Sequence, residues 1–203
     1  KFGLGADELV LGLMPGSRHS EIQHHLQTQL EAAAMVMRRN PNVQPVLMLA
    51  PTLERSDVEP YLAGFPFSIQ IIKDEPLKMI ALADVLLVAS GTATLMVGLM
   101  EKPMVIMYRM NAVTAWLAKR LVTKTKVFGM ANLIMDRQVV PELFQEDANP
   151  ERLASELLRY LEDPTERERV RKDLALIKER LGNKGATANV ARILDGYFRG
   201  AVQ

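Results

Sequence analysis

Apolar residues recur along this chain in two alternating rhythms. Short unbroken apolar runs bounded by Gly, Pro or Asp predict buried strands, and longer stretches with apolar positions every three or four residues predict helices. Leu9 to Met14 is the first strand. A helix follows from about Ser20, its N-cap, to Arg39, with Ile22, Leu26, Leu30, Ala33 and Met37 on one face, and Asn40-Pro41-Asn42 stops it. Val46 to Leu49 predicts the second strand, residues 51–56 a loop, and the stretch to Leu62 a short helix ended by Gly64 and Pro66. Ser68 to Ile72, Val85 to Val88 and Met104 to Tyr108 predict strands three to five, with helices at Pro76 to Ala83 and Thr92 to Met100 between them. Beyond these, the pattern predicts a helix from Ala112 to Val122, a weak sixth strand near Lys126 to Phe128 and an irregular loop from Ala131 to Gln138. Helices are predicted over Val140 to Gln145, Pro150 to Glu162, Pro164 to Leu181 and Ala186 to Phe198.

Strands alternating with helices mean βαβ units with right-handed crossovers. The fold class is α/β: a doubly wound, mostly parallel six-stranded sheet of Rossmann-like type, with a helical C-terminal tail. The expected organisation is one domain over 1–203, with the sheet core in about 8–145 and the C-terminal helices in 146–203. The commonest order for such a sheet, 3-2-1-4-5-6, makes strands 1 and 4 neighbours at the point where the winding reverses, and ligands bind in the crevice there. The turns that follow these two strands are Pro15-Gly16-Ser17-Arg18 and Ser90-Gly91-Thr92.

Composition narrows the function without naming it. The 203 residues are 48% hydrophobic and 24% charged, the balance of an ordinary globular protein. A formal charge of +1 gives no global pull toward nucleic acid. The absence of cysteine excludes disulfides, thiolate catalysis and Cys-ligated zinc. No apolar run approaches the ~20 residues that span a bilayer. The chain opens on Lys1 and runs almost at once into a strand, so an upstream part is expected.

The two turns carry the candidate chemistry. Gly16 lets backbone approach a ligand, Ser17 adds a hydroxyl, and the Arg18 guanidinium can grip a phosphate with two parallel hydrogen bonds. Ser90, Gly91 and Thr92 open a helix whose first N–H groups favour an anion. Each turn alone also reads as an ordinary turn or helix cap; side by side they suit a diphosphate. Neither matches the dinucleotide fingerprint or the Walker loop. His19, His24 and His25 fall on different helical faces without Cys or carboxylate company, which argues against a metal site. The apolar stripe Val113, Trp116, Leu117 and Leu121 with Lys119, Arg120, Lys124 and Lys126 reads as core or as a membrane-facing surface.

Several segments in order, LMPGSRHSEI (13–22), VASGTATL (88–95), KPMVIMYRM (102–110), WLAKRLV (116–122) and ANLIMDRQVVPELFQED (131–147), resemble the C-terminal half of bacterial lipid-A-disaccharide synthases, hexosyltransferases of the two-domain type-B fold. The resemblance implies transfer of 2,3-diacylglucosamine from its UDP carrier to 2,3-diacylglucosamine 1-phosphate, with release of UDP and no metal or other cofactor. It implies that Gly16, Ser17, Arg18, Ser90, Gly91 and Thr92 cradle the diphosphate and that Asn132, Glu142 and Gln145 line the donor pocket. The catalytic base and acceptor site are expected in an N-terminal half that this chain lacks, which leaves the piece inactive alone. The expected location is the cytoplasmic face of the inner membrane, peripherally bound through region 113–126. The chain departs from the family pattern at Met96, where a ribose-binding Glu is usual, at Ala131, where Pro is usual, and at Met107, where the residue is typically small. A non-catalytic nucleotide- or lipid-binding module, a UDP-sugar epimerase and a glycosyltransferase acting on peptidoglycan precursors are the alternative readings.

Overall fold

The computed structural model describes residues 8–73, 75–111, 127–182 and 185–200. Its strands are β1 (Leu9–Met14), β2 (Val43–Leu49), β3 (Gln70–Lys73), β4 (Val85–Ala89), β5 (Met104–Tyr108) and β6 (Glu142–Phe144). They form one sheet ordered β3-β2-β1-β4-β5-β6. Every pairing is parallel. This is the order that the alternation of elements predicts. The central strands are covered on both faces, which is why they read as unbroken apolar runs: all five residues of β4 are buried.

The helices are α1 (His19–Arg39), α2 (Glu59–Leu62), α3 (Pro76–Leu82), α4 (Thr92–Leu99), α5 (Met130–Met135), α6 (Pro150–Glu162), α7 (Pro164–Leu181) and α8 (Ala186–Gly200). The predicted stripe of α1 is buried, but the helix starts one residue before Ser20, with Arg18 at the N-cap and no side-chain cap. α1 packs against α6 on one side of the sheet, and α4, α5 and α7 pack together on the other. Gly98 permits that second layer, since a Cβ there would stand 2.8 Å from Ile177 Cδ1. Asn149 caps α6 and Asp163 caps α7, each followed by a proline in the first turn. No helix among the described residues is long and apolar enough to cross a membrane.

Between β5 and α6 the structure departs from expectation. Residues Val127 and Phe128 are not a strand; the sixth strand is Glu142–Phe144, inside the stretch expected to be helical. Pro141 explains this: at the start of a short edge strand its missing N–H costs nothing, while its carbonyl still accepts the Ile106 N–H at 2.9 Å. The stretch expected to be an irregular loop forms α5, which buries Ala131, Asn132 and Met135 and ends at Asp136 in the left-handed region, with φ of 52°. The helix expected over Ala112 to Val122, and Lys126, lie outside the described residues.

Candidate functional site

β1 and β4 pair with Met14 opposite Val88, so the turns after them leave the sheet at one level. In the first turn Gly16 has φ of +127°, and a Cβ there would lie 2.4 Å from Glu21 Oε2. Both the conformation and the space require glycine. Ser17 is held on both sides: its N–H donates to Glu21 Oε2 at 2.6 Å and its carbonyl accepts the Thr52 hydroxyl at 2.5 Å. The Arg18 guanidinium donates to Glu21 Oε1 at 3.0 Å, and its side chain is 77% exposed.

In the second turn the Ser90 N–H donates to the Met107 carbonyl at 2.8 Å, extending the β4–β5 pairing. Gly91 is the N-cap of α4 and supplies no side-chain cap. The Thr94 N–H turns back on the Gly91 carbonyl at 3.1 Å, and the Thr92 and Ala93 N–H groups have no acceptor within the helix. Thr94 is turned inward and buried. Its hydroxyl donates to the Gly91 carbonyl at 2.8 Å and accepts the Met130 N–H at 3.1 Å.

The two turns share a cavity of about 420 Å³. Gly16, Ser17, Arg18 and Glu21 form one wall, Ser90, Gly91 and Thr92 another, and Met14, Met48, Pro51, Pro76, Met96 and Tyr108 an apolar remainder. The charged groups among its described lining residues are Arg18 and Glu21. A larger cleft, about 540 Å³, lies between α1, α2 and the start of α6. It touches neither turn, so chemistry rather than volume selects the smaller one. Among the described residues no three His, Asp or Glu side chains are grouped to hold a metal ion.

A buried polar edge of α1 braces this site from behind. His25 Nδ1 lies 3.0 Å from the Pro15 carbonyl and must carry the proton; Nε2 then accepts the Arg109 N–H at 3.1 Å. Burial lowers the His25 pKa from its ordinary 6.5 and favours this neutral form. Thr28 accepts a hydrogen bond from the Arg109 guanidinium at 2.6 Å. Gln29 Nε2 reaches the Met14 and Leu87 carbonyls at 3.3 and 3.5 Å, and its Oε1 is buried without a partner. The sequence pattern holds a signal for these residues: positions 25 and 29 sit beside Leu26 and Leu30 on the buried stripe.

Of the residues expected at the site, Gly16, Ser17, Arg18, Ser90, Gly91 and Thr92 are brought together. Asn132, Glu142 and Gln145 do not line this cavity; their side chains bond to other segments. Buried Asn132 accepts the Val139 and Val140 N–H groups at 2.7 and 3.1 Å and donates to the Val140 carbonyl at 2.9 Å and to Glu142 Oε1 at 2.6 Å. The Glu142 carboxylate also accepts the Phe128 and Gly129 N–H groups at 2.7 and 3.0 Å. Gln145, at φ of 53°, clamps Met110, accepting its N–H at 2.8 Å and donating to its carbonyl at 3.1 Å. These three brace the segments on either side of residues 112–126. Sequence reasoning missed Glu21, whose signal is its place three residues after Arg18.

A family profile described as Lipid-A-disaccharide synthetase matches residues 1–193. A lipid-A-disaccharide synthase of Nitrosococcus oceani is 38% identical over 200 residues, covering 98% of this chain and 51% of that relative. Its counterpart in Geobacter sulfurreducens is 38% identical over 193 residues, covering 95% and 50%. The chain thus spans about half the length of the curated relatives it matches. Among solved structures, WaaG, a glycosyltransferase involved in lipopolysaccharide biosynthesis, superposes with a TM-score of 0.61 at 15% identity, over 85% of this chain and 43% of that one. Anabaena HepE in complex with UDP-glucose superposes at 0.60 with 12% identity, over 94% and 50%. These likenesses establish the fold as the Rossmann-like fold shared with type-B glycosyltransferases.

Proposed function

This chain belongs to the lipid-A-disaccharide synthetase family, and from that premise we propose that the cavity between its two turns takes the diphosphate of a UDP-sugar. The observation that carries the reading is the convergence of the Arg18 turn and the uncapped N-terminus of α4 on one cavity. A cation and a helix N-terminus facing each other can share the charge of a diphosphate. On this reading 1–203 is a single donor-binding domain for transfer of 2,3-diacylglucosamine from UDP to 2,3-diacylglucosamine 1-phosphate.

Its contribution to the reaction is electrostatic. As the bond from the sugar to the β-phosphate breaks, negative charge grows on the departing UDP. Donors already aimed at that oxygen cluster favour the transition state. Arg18, the Ser90 and Thr92 hydroxyls and the first N–H groups of α4 supply those donors. Asn132, Glu142 and Gln145 hold the β5–β6 side of the pocket in place. The base that activates the acceptor hydroxyl is assigned to the half of the relatives' length that this chain does not span. Contact with the inner-membrane surface from the cytoplasmic side is assigned to region 113–126.

Calorimetric titration of the chain with UDP, in the presence of a chelator, tests the reading. Binding that Arg18→Ala weakens by tenfold or more is the expected result. No binding at millimolar UDP would remove it. Met96 in the cavity wall favours a second reading, a nucleotide-binding module without turnover. If Met96→Glu, joined to the remaining half of a relative, binds UDP but never consumes acylated donor, the module reading is the correct one.

A further inference from the structure

Glu21 stands where a ligand anion would stand. Its two carboxylate oxygens take the Ser17 N–H, at 2.6 Å, and the Arg18 guanidinium, at 3.0 Å. These are the donors that the first turn would offer a phosphate, and Glu21 lines the same cavity. The arrangement differs from an ordinary helix cap. In a capping box a carboxylate at the third helical position takes the N–H of the N-cap residue. Here the N-cap is Arg18, and the carboxylate bonds the residue before it and the guanidinium. The turn is also fixed without Glu21: Thr52 holds the Ser17 carbonyl, and the Glu21 and Ile22 N–H groups close the first helical turn on the Arg18 carbonyl. The side chain is 26% exposed, which leaves it a route out toward solvent.

We propose that Glu21 is a built-in counter-anion of the phosphate turn, which the nucleotide diphosphate displaces on binding and which returns as the nucleotide leaves. The inference rests on the UDP-sugar reading above and makes Glu21 a residue that sets nucleotide affinity. With the cavity empty, the carboxylate keeps the guanidinium aligned and its charge compensated. With the diphosphate present, two anions compete for one set of donors, so UDP is held less tightly than the donors alone would hold it. A product that must be released after each turnover is then not trapped. Uridine, which has no phosphate, does not compete with Glu21.

Titrating the chain and Glu21→Gln with UDP and with uridine tests this, with a thermal melt of each protein as a control. Glu21→Gln removes a unit charge from contact distance of the phosphate. It is expected to bind UDP roughly tenfold more tightly, a modest share of the unscreened interaction at an effective dielectric of about 20, with uridine affinity unchanged. Glu21→Ala is expected to shift UDP in the same direction. Equal or weaker UDP binding by folded Glu21→Gln would overturn the proposal and leave the UDP reading standing. So would a parallel gain for uridine, or melting of either variant below the assay temperature, since the turn would then depend on Glu21. Failure of the unsubstituted chain and both variants to bind UDP would overturn the nucleotide reading and this proposal together.

Discussion

Asn132→Ala separates a ligand contact from an internal brace. Asn132 has 0% exposure, and its side chain serves the backbones of Val139 and Val140, themselves 5% and 1% exposed. Truncation to alanine leaves two N–H donors and one carbonyl without the amide, at bonds of 2.7, 3.1 and 2.9 Å. Each buried polar group left unpaired costs about 1–3 kcal/mol, and partial relaxation brings the expected total to about 3 kcal/mol. Asn132→Asp keeps the acceptor but places a second carboxylate against Glu142, now 2.6 Å from the amide nitrogen. It should destabilise at least as much near neutral pH and recover part of the loss in acid, as one carboxyl takes up a proton. Urea unfolding followed by circular dichroism reads this as a lower midpoint at unchanged slope. UDP affinity, measured where the variant remains folded, should stay within a factor of three. Stability within about 0.5 kcal/mol of the parent, the range of ordinary surface substitutions, with UDP binding lost, would refute the brace and return Asn132 to the pocket.

His25 makes stability depend on pH. Its folded pKa lies below the ordinary 6.5, so the unfolded chain binds the proton more readily and its contribution is full above pH 6.5. That contribution falls as pH drops toward the folded value, and His25→Gln should flatten this part of a melting-temperature profile; an unchanged profile would count against it. Gly16→Ala must accept φ of +127° and a Cβ at 2.4 Å from Glu21 Oε2. It should cost about 1–3 kcal/mol and lower UDP affinity by at least tenfold by titration. Gln29→Met replaces two long hydrogen bonds and a partnerless oxygen with a side chain of similar length. Removing such a half-satisfied group should shift stability by less than about 1 kcal/mol, and a loss of 3 kcal/mol in urea would show that the amide matters more than its geometry suggests.

What was legible in the sequence follows from which interactions set each element. β1, β4 and β5 are covered on both faces, so burial wrote them as apolar runs, and the spacing of helices between them was enough to order the sheet. The glycines at 16 and 91 marked the turns because no other residue suits those conformations. Between residues 127 and 145, however, the deciding forces are long-range hydrogen bonds. Glu142 pins the Phe128 and Gly129 N–H groups, and Asn132 reaches over to Val139 and Val140. Local periodicity has no access to such bonds, so it predicts a loop where α5 forms and a helix where the edge strand β6 forms. His25 was hidden differently: it obeys the period of the buried stripe, but its residue type suggests a surface.

The polar edge of α1 has a consequence for how the molecule assembles. His25 and Thr28 find their partner at Arg109, 84 and 81 residues further along, and Gln29 reaches Leu87, 58 residues away. Contacts of such sequence separation carry a loop-closure cost that local contacts do not. A nascent chain ending before β5 can build β1, α1 and β2, but it must leave the imidazole and the Thr28 hydroxyl open to water. α1 then cannot dock fully until β5 arrives. The Gly16–Arg18 turn is anchored to that same imidazole through Pro15, so the first wall of the cavity keeps a water-accessible backing until Arg109 is in place.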